Sequence, residues 1–311
     1  CTNAKGYGPT WASSLFEDNA EYGYGMALAV KKLRSTIKHH MEEFMKNNKG
    51  SEMEETFTKW IENMKNPEVT KELKDVIVNL TKDSDNENLQ EIYKLRDYLI
   101  KKSIWSFGGD GWAYDIGYGG LDHVMASGED FNILVFDTEV YSNTGGQSSK
   151  STPRAAVAKF AAGGKRVRKK DLGAMLMTYG YVYVAQVAMG SNMNQLLKAI
   201  KEAESYDGPS IVICYAPCIN HGISTGMGTT IAQEKKAVNT GYWHLYRYNP
   251  LLEKEGKNPF VLDSKEPTEP FQSFLDTEVR YTSLKKTFPE IAQELYDMAE
   301  RYVNMEAGNQ E

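Results

Sequence analysis

The chain has no apolar run approaching the ~20 residues that a membrane-crossing helix needs, and its 311 residues carry a charge on one in four. A transmembrane helix is therefore not expected, and no membrane partner. The formal net charge of −6 lacks the basic excess that a dedicated nucleic-acid binder uses on phosphates, so no nucleic acid is expected either. Only three cysteines occur, Cys1, Cys214 and Cys218, without the paired spacing of a disulfide framework. A reducing, intracellular compartment follows as the expectation. No charged leader with an apolar core opens the chain, since residues 1–11 read CTNAKGYGPTW; a secretory signal is not expected. Internal repeats, low-complexity segments, a Ser/His/Asp arrangement and a dinucleotide fingerprint are all missing.

What is present centres on residues 103–147. Apolar residues 103–107 run into Gly108-Gly109-Asp110-Gly111, a helical segment containing Gly117-Tyr118-Gly119-Gly120 follows, and apolar residues 131–136 end at Asp137. This reads as strand, Gly-rich turn, helix, strand and polar loop, a βαβ unit. Parallel strands in such a unit end on one edge, so Asp110 is expected beside the loop of residues 138–143. Glycines on both sides of Asp110 let backbone amides approach a phosphate, while the carboxylate is left to hold a divalent cation. Mg²⁺ takes about six hard oxygens and few of them from protein. Asp110, the Thr138 hydroxyl and the Val140 carbonyl are the expected protein ligands. Asn143 is a further amide at the same rim and the candidate catalytic side chain. This Gly-Asp-Gly, helix, strand and Asn-bearing loop resembles the diphosphate-and-magnesium motif of thiamine-diphosphate enzymes.

The rest of the chain fits an α/β protein. Ser14 with Glu17 forms an expected capping box, and apolar residues at helical spacing continue through residues 26–37. Residues 39–88 are rich in Lys, Glu and Asn and read as a solvated helical insertion without chemistry. Residues 89–100 read as a helix. Beyond the βαβ unit, residues 148–164 are expected as a polar loop and an Ala-rich helical piece. The basic run Lys165-Arg166-Val167-Arg168-Lys169-Lys170 reads as a solvated face. A helix capped by Asp171, strands over 181–188 and 210–215 and a helix over 192–205 predict a mostly parallel sheet. A helical stretch at 233–239, an aromatic strand over 241–248, an extended connector over 257–270 and a closing helix over 289–304 complete the reading. The fold class expected is an open, mostly parallel α/β sheet flanked by helices, one domain over residues 1–311 with the insertion inside it.

Cys214 lies inside the apolar run SIVICY and reads as a small hydrophobe. Cys218 falls past that strand's carboxyl end, on the edge expected to carry Asp110. Spacing leaves it either a structural thiol or one ligand of an iron–sulfur cluster, which needs about four cysteines. His123 and His221 stand alone, and each reads as a satisfied or solvated side chain.

Long stretches carry a more specific resemblance: GPTWASSLFEDNAEYGYGM, WSFGGDGWAYDIGYGGLDHVMASGED, DTEVYSNTGGQSSKSTP, KKDLGAMLMTYGYVYVAQVAMG, YAPCINHGI, GYWHLYRYNP and GKNPFVLDSK. Together they are similar to the C-terminal thiamine-diphosphate-binding domain of the pyruvate:ferredoxin (flavodoxin) oxidoreductase family. The resemblance implies that Gly109, Asp110, Gly111 and Trp112 contact the cofactor diphosphate and its Mg²⁺. Thr138, Glu139, Val140, Tyr141, Ser142 and Asn143 would form the second wall. It further implies that Cys218 is the last ligand of a [4Fe–4S] cluster, with the other three in segments preceding Cys1, and that Cys1 is not a ligand. The activity implied is oxidative decarboxylation of pyruvate to acetyl-coenzyme A and carbon dioxide, with electrons passed to ferredoxin or flavodoxin. Further domains of the same polypeptide, a homodimer, and a cytoplasmic or hydrogenosome- or mitochondrion-like location belong to the same expectation. An NADP-linked fusion form, another 2-oxoacid oxidoreductase and a non-catalytic Mg²⁺/phosphate-binding module are the alternatives.

Overall fold

A computed structural model describes residues 12–14 and 16–308. The chain forms two compact units, one of residues 16–22 with 105–308 and one of Gly23–Ile104. Cys1 and the motif around it lie outside the described residues.

The unit Gly23–Ile104 is built on helix α1 (Asn19–Asn47), α2 (Glu52–Glu62), α3 (Pro67–Thr81) and α4 (Glu87–Lys94), with a 3₁₀ turn at Arg96–Tyr98. Three of these starts are dictated locally. Ser51, Asn66 and Asn86 sit in extended conformation and accept the first free amides of α2, α3 and α4, as N-caps do. Helix α1 begins at Asn19, with the Tyr22 amide bonded to the Asp18 carbonyl; the capping box expected of Ser14 and Glu17 therefore precedes the helix and does not close it. The compact unit is also wider than the insertion over 39–88 read from composition, and it is not merely solvated. Its apolar positions recur at helical spacing and close a core of their own, with Ile37, Met41, Phe57, Trp60, Ile77, Ile92 and Leu99 fully buried. Arg34 is buried beneath Trp60 and donates to three carbonyls, those of Met64 (2.6 Å), Tyr98 (2.7 Å) and Leu99 (2.9 Å). The Trp60 Nε1 donates to the same Leu99 carbonyl at 2.9 Å.

The other unit is organised by a six-stranded sheet: β1 (Trp105–Gly109), β2 (Phe131–Asp137), β3 (Tyr183–Val187), β4 (Pro209–Tyr215), β5 (Tyr246–Tyr248) and β6 (Phe260–Leu262), in the order β1-β2-β4-β3-β5-β6. The first four strands pair in parallel and the last two are antiparallel, so the mostly parallel α/β class holds. Central strands β2 and β4 are buried nearly throughout, which is why they read as continuous apolar runs rather than alternating ones. Helices α5 (Tyr118–Ala126), α6 (Leu172–Met177), α7 (Met193–Ser205), α8 (Thr230–Asn239), α9 (Pro250–Lys254), α10 (Phe271–Leu275), α11 (Val279–Thr287) and α12 (Pro289–Gly308) complete it.

Several local expectations are corrected. Residues 155–164 form no helix, because Ala155 and Phe160 take positive φ (71° and 67°) and the Ala155 amide bonds to the Lys165 carbonyl. The aromatic strand shortens to three residues, and its partner β6 lies in what reads as a connector. The helix after the Gly-Asp-Gly turn is split: a π-helical stretch, Gly111–Ile116, ends at Gly117, and α5 starts after it.

Candidate functional site

Because β1, β2 and β4 run in parallel, their carboxyl ends deliver three chain segments to one edge: the Gly108–Gly111 turn, the loop after Asp137, and the turn that begins at Cys218. Contacts join all three. The Thr138 backbone amide and hydroxyl both donate to Asp110 Oδ1, at 3.2 and 2.6 Å. The Ala216 amide donates to the Asp137 carbonyl at 3.0 Å, and Ser142 Oγ lies 3.2 Å from Cys218 Sγ. A cleft of about 240 Å³ opens here, lined by Phe16, Phe107, Gly108–Gly111, Phe136, Thr138 and Val140–Thr144. Phe107 and Phe136, neighbours on β1 and β2, stack across it with ring centroids 6.4 Å apart and stay about two-fifths exposed.

The glycines of the turn are required by close approach. A Cβ on Gly111 would stand 2.5 Å from the Tyr141 ring, and one on Gly108 would stand 2.2 Å from the Trp112 ring. Only hydrogen at these positions lets Tyr141 lie across the turn and Trp112 pack behind it.

Asp110 is 1% exposed, and both of its oxygens are engaged. Oδ1 faces Thr138, while Oδ2 accepts from the hydroxyls of Ser149 (2.7 Å) and Ser151 (2.8 Å). Burial, and then the neighbouring Asp137 charge, push its pKa up to about 6 despite those hydrogen bonds. Burial disfavours the charged form of such a carboxylate, and a bound cation would offset that cost.

The described residues fit Mg²⁺ as that cation. Thr138 Oγ1 has one proton, yet it lies 2.6 Å from Asp110 Oδ1 and 3.0 Å from the Val140 carbonyl. The Thr138 hydroxyl thus stands between two other hard oxygens, within hydrogen-bond distance of each. Those two separations, 2.6 and 3.0 Å, bracket the roughly 2.9 Å between adjacent vertices of an octahedron whose metal–oxygen distance is about 2.0–2.1 Å. An iron–sulfur cluster is a different case. Among the described residues no three or more His, Cys, Asp or Glu side chains gather to hold a metal, so these residues cannot hold a cluster by themselves. Cys218 suits a single ligand: it is buried, and Ser142 Oγ, the Asn220 amide and Asn220 Nδ2 surround its sulfur at 3.2, 3.5 and 3.4 Å. Cys214 faces none of this; burial pushes its thiol up to about 12.

Behind the cleft lies a bank of buried charge that sequence reasoning missed. Lys169 bridges Asp137 (2.7 Å) and Glu139 (3.1 Å), Glu139 also binds Arg280 (2.7 Å), and Arg280 binds Glu278 (2.7 Å). Tyr114 donates to Asp137 and Tyr242 to Glu139, at 2.7 and 2.6 Å. Burial alone would raise the Glu139 carboxyl, but Lys169 and Arg280 outweigh it and hold it below the ordinary value. Lys169 corrects the reading of the basic run as a solvated face: it points inward, Lys170 donates to the Tyr114 carbonyl, and only Arg166, Val167 and Arg168 are exposed. His221 is buried rather than solvated, 1% exposed with Nε2 2.7 Å from the Thr138 carbonyl, while its Nδ1 has no hydrogen-bond partner among the described residues.

Of the residues singled out in the sequence, Gly109, Asp110, Gly111, Thr138, Val140, Tyr141, Ser142 and Asn143 line the cleft together. Asn143 is exposed there. Glu139, at φ 56°, turns its side chain into the charge bank, and Trp112 is buried behind the turn, its Nε1 without a hydrogen-bond partner among the described residues. Ser149, Ser151, Lys169 and Arg280 carried no local signal.

Residues 94–214 match the family described as thiamine pyrophosphate enzyme, C-terminal TPP binding domain. The chain is 56% identical over 301 residues to pyruvate-flavodoxin oxidoreductase of Klebsiella pneumoniae, covering 96% of this chain and 26% of that protein. It is 55% identical over 305 residues to pyruvate:ferredoxin oxidoreductase of Moorella thermoacetica, with the same coverage of 96% and 26%. It is 50% identical over 291 residues to the mitochondrial pyruvate dehydrogenase [NADP(+)] of Euglena gracilis, covering 93% and 16%. The chain thus spans about a quarter of the length of the first two. A solved structure of 2-oxoglutarate:ferredoxin oxidoreductase from Magnetococcus marinus is similar at 20% identity and a TM-score of 0.35, over 58% of this chain and 60% of that one.

Proposed function

We propose that this chain, which carries the TPP-binding domain of the thiamine pyrophosphate enzymes, supplies the diphosphate and Mg²⁺ side of the thiamine-diphosphate site in a pyruvate:ferredoxin or pyruvate:flavodoxin oxidoreductase. One observation carries the reading: at the mouth of the Gly108–Gly111 turn the Thr138 hydroxyl stands within hydrogen-bond distance of both the buried Asp110 carboxylate and the Val140 carbonyl. Asp110, Thr138 and Val140 hold the cation, and Ser149 and Ser151 fix the Asp110 carboxylate from behind. The glycines admit the diphosphate close to the backbone, while Phe107, Phe136 and Tyr141 give the cleft an apolar lining that sheds water. Asn143, exposed at the rim, is the polar side chain placed to meet the reacting end. Thiamine diphosphate, when bound, supplies the electron sink that decarboxylation of a 2-oxo acid requires.

Cys218 is the residue we assign as one ligand of a [4Fe–4S] cluster, whose other three ligands come from polypeptide outside this chain. Such a cluster supplies one-electron transfer toward ferredoxin or flavodoxin. Pyruvate and coenzyme A as substrates, association with the remaining domains and a homodimer belong to the same proposal, on the strength of the relatives' names and lengths. The compartment follows the acceptor: cytoplasm, or an organelle where the mitochondrial relative is the better guide.

Titration calorimetry of the chain with thiamine diphosphate, with and without Mg²⁺, tests this. Binding should require the metal and exceed that of inorganic diphosphate. Equal binding of both ligands would favour a plain Mg²⁺/phosphate module.

A further inference from the structure

One side chain ties the cation-binding loop to the Cys218 turn through the protein interior. His221 Nε2 lies 2.7 Å from the Thr138 carbonyl, and because a carbonyl only accepts, this nitrogen carries the proton. Thr138 is the residue whose hydroxyl faces Asp110 and Val140. His221 in turn closes the 3₁₀ turn Ile219–His221 that Cys218 caps, its amide donating to the Cys218 carbonyl at 3.0 Å. The imidazole has no slack. It is 1% exposed, stacks on Tyr215 with centroids 6.4 Å apart, and its Nδ1 stands 3.7 Å from Glu278 Oε1. Glu278 is itself fixed by Arg280 (2.7 Å) and Gln233 (2.8 Å). The Ile223–Glu278 bridge and the Val279 amide on the Gly222 carbonyl pin the chain just beyond.

We infer that His221 is a positioning residue that couples occupancy of the Asp110–Thr138–Val140 cation site to the placement of the Cys218 sulfur. This rests on the proposed site for Mg²⁺ and thiamine diphosphate. Thr138 and Ser142 belong to one loop, so a cation held at Thr138 Oγ1 and the Val140 carbonyl would fix the position of both, and two contacts link them to Cys218. Ser142 touches the sulfur directly, at 3.2 Å. His221 transmits through the backbone, from the Thr138 carbonyl into the turn that sets the cysteine. The side-chain contact is exposed at its Ser142 end and free to break, whereas the imidazole bridge is buried, so the bridge carries the coupling. Such coupling is reciprocal between the two sites.

The test is the rate of Cys218 alkylation by iodoacetamide in the intact chain, read by peptide mapping so that Cys1 and Cys214 are scored separately. Saturating Mg²⁺ and thiamine diphosphate should slow the reaction at Cys218 about five- to tenfold, within the usual range of site-to-site coupling. His221→Phe should bind the cofactor in calorimetry yet lose the ligand-dependent slowing. His221→Gln, whose amide nitrogen reaches the place of Nε2, should restore it, and Ser142→Ala should keep most of it. Should His221→Phe fail to fold, His221→Asn, too short to reach the Thr138 carbonyl, replaces it. Slowing that persists in the Phe variant, or in the Asn variant where it replaces Phe, or that vanishes in Ser142→Ala alone, overturns the inference. So does wild-type chain that binds Mg²⁺ and thiamine diphosphate with no change at Cys218. Absence of Mg²⁺-dependent binding in the wild type overturns the parent reading, and this one with it.

Discussion

The two compact units both have apolar cores, but they differ in the polar groups they bury. In Gly23–Ile104 the interior is Trp, Phe, Ile, Leu and Met, and Arg34 is satisfied by the carbonyls of Met64, Tyr98 and Leu99 near helix ends. At the carboxyl edge of the sheet the interior is Asp110, Asp137, Glu139, Glu278, Lys169, Arg280 and His221. Burying apolar surface stabilises at roughly 25 cal/mol per Å². Burying ion pairs gains little or nothing over an apolar core of the same volume. A fold selected for stability alone has no reason to assemble four carboxylates and two cations beneath a loop. The helical unit is therefore explained by its packing, and the sheet edge by the site proposed for it.

The sharpest break of that comparison is Arg280→Met. It keeps the volume but leaves Glu139 and Glu278 buried without their shared cation, and removing one partner of a buried pair costs about 3–5 kcal/mol. With two carboxylates affected, the upper end is expected, as a fall in the denaturation midpoint at constant m-value. Trp60→Ala is the matching change in the helical unit, expected to cost about 3–5 kcal/mol as cavity and lost transfer energy. Proteolysis or hydrogen exchange should place that loss in residues 23–104. If Trp60→Ala also weakened cofactor binding, the division of roles between the units would be wrong.

Legibility in the sequence followed the same division. Strands β2 and β4 announced themselves as apolar runs, and Asp110, Thr138 and Val140 could be singled out as candidates because Gly-Asp-Gly and a strand end are local signals. Lys169 was misread because its partners Asp137 and Glu139 lie about thirty residues away and nothing nearby distinguishes it from Arg166 or Arg168. Ser149 and Ser151 looked like loop polarity for the same reason. The Ala-rich 155–164 segment has helical composition, but tertiary hydrogen bonds to Lys165 and Arg280 override it. Strand β6 is three half-buried residues, too short to carry a period.

A milder change separates function from stability at one atom. Asp110→Asn keeps an acceptor for Thr138 but removes the charged oxygen that Mg²⁺ needs. Mg²⁺-dependent binding of thiamine diphosphate should weaken by about 100-fold, on the order of 3 kcal/mol. Stability without metal should not fall in step, because the charge removed is one that burial opposes. An Asn variant that binds as tightly as wild type would reduce Asp110 to a turn residue.

The smallest effect is also the most diagnostic, and it concerns pH. The Asp110 carboxyl titrates near 6 in the folded chain, raised from 3.8 by burial and by Asp137. A carboxyl raised on folding favours the folded state only while protonated. Its contribution is therefore most favourable at pH below the unfolded value and is lost as pH climbs through 3.8 to 6. Between pH 5 and pH 7 this amounts to roughly 1 kcal/mol of lost stability in metal-free protein. Other groups titrate in the same window, so the quantity to measure is the difference between wild type and Asp110→Asn, by urea denaturation at both pH values. That difference should narrow when Mg²⁺ and thiamine diphosphate are added to the wild type at pH 7, since the cation replaces the proton at the carboxylate. If wild type and variant keep a constant gap across the range, Asp110 is ionised throughout and already neutralised by its hydroxyl partners. The edge would then resemble the helical unit, closed and complete without a ligand.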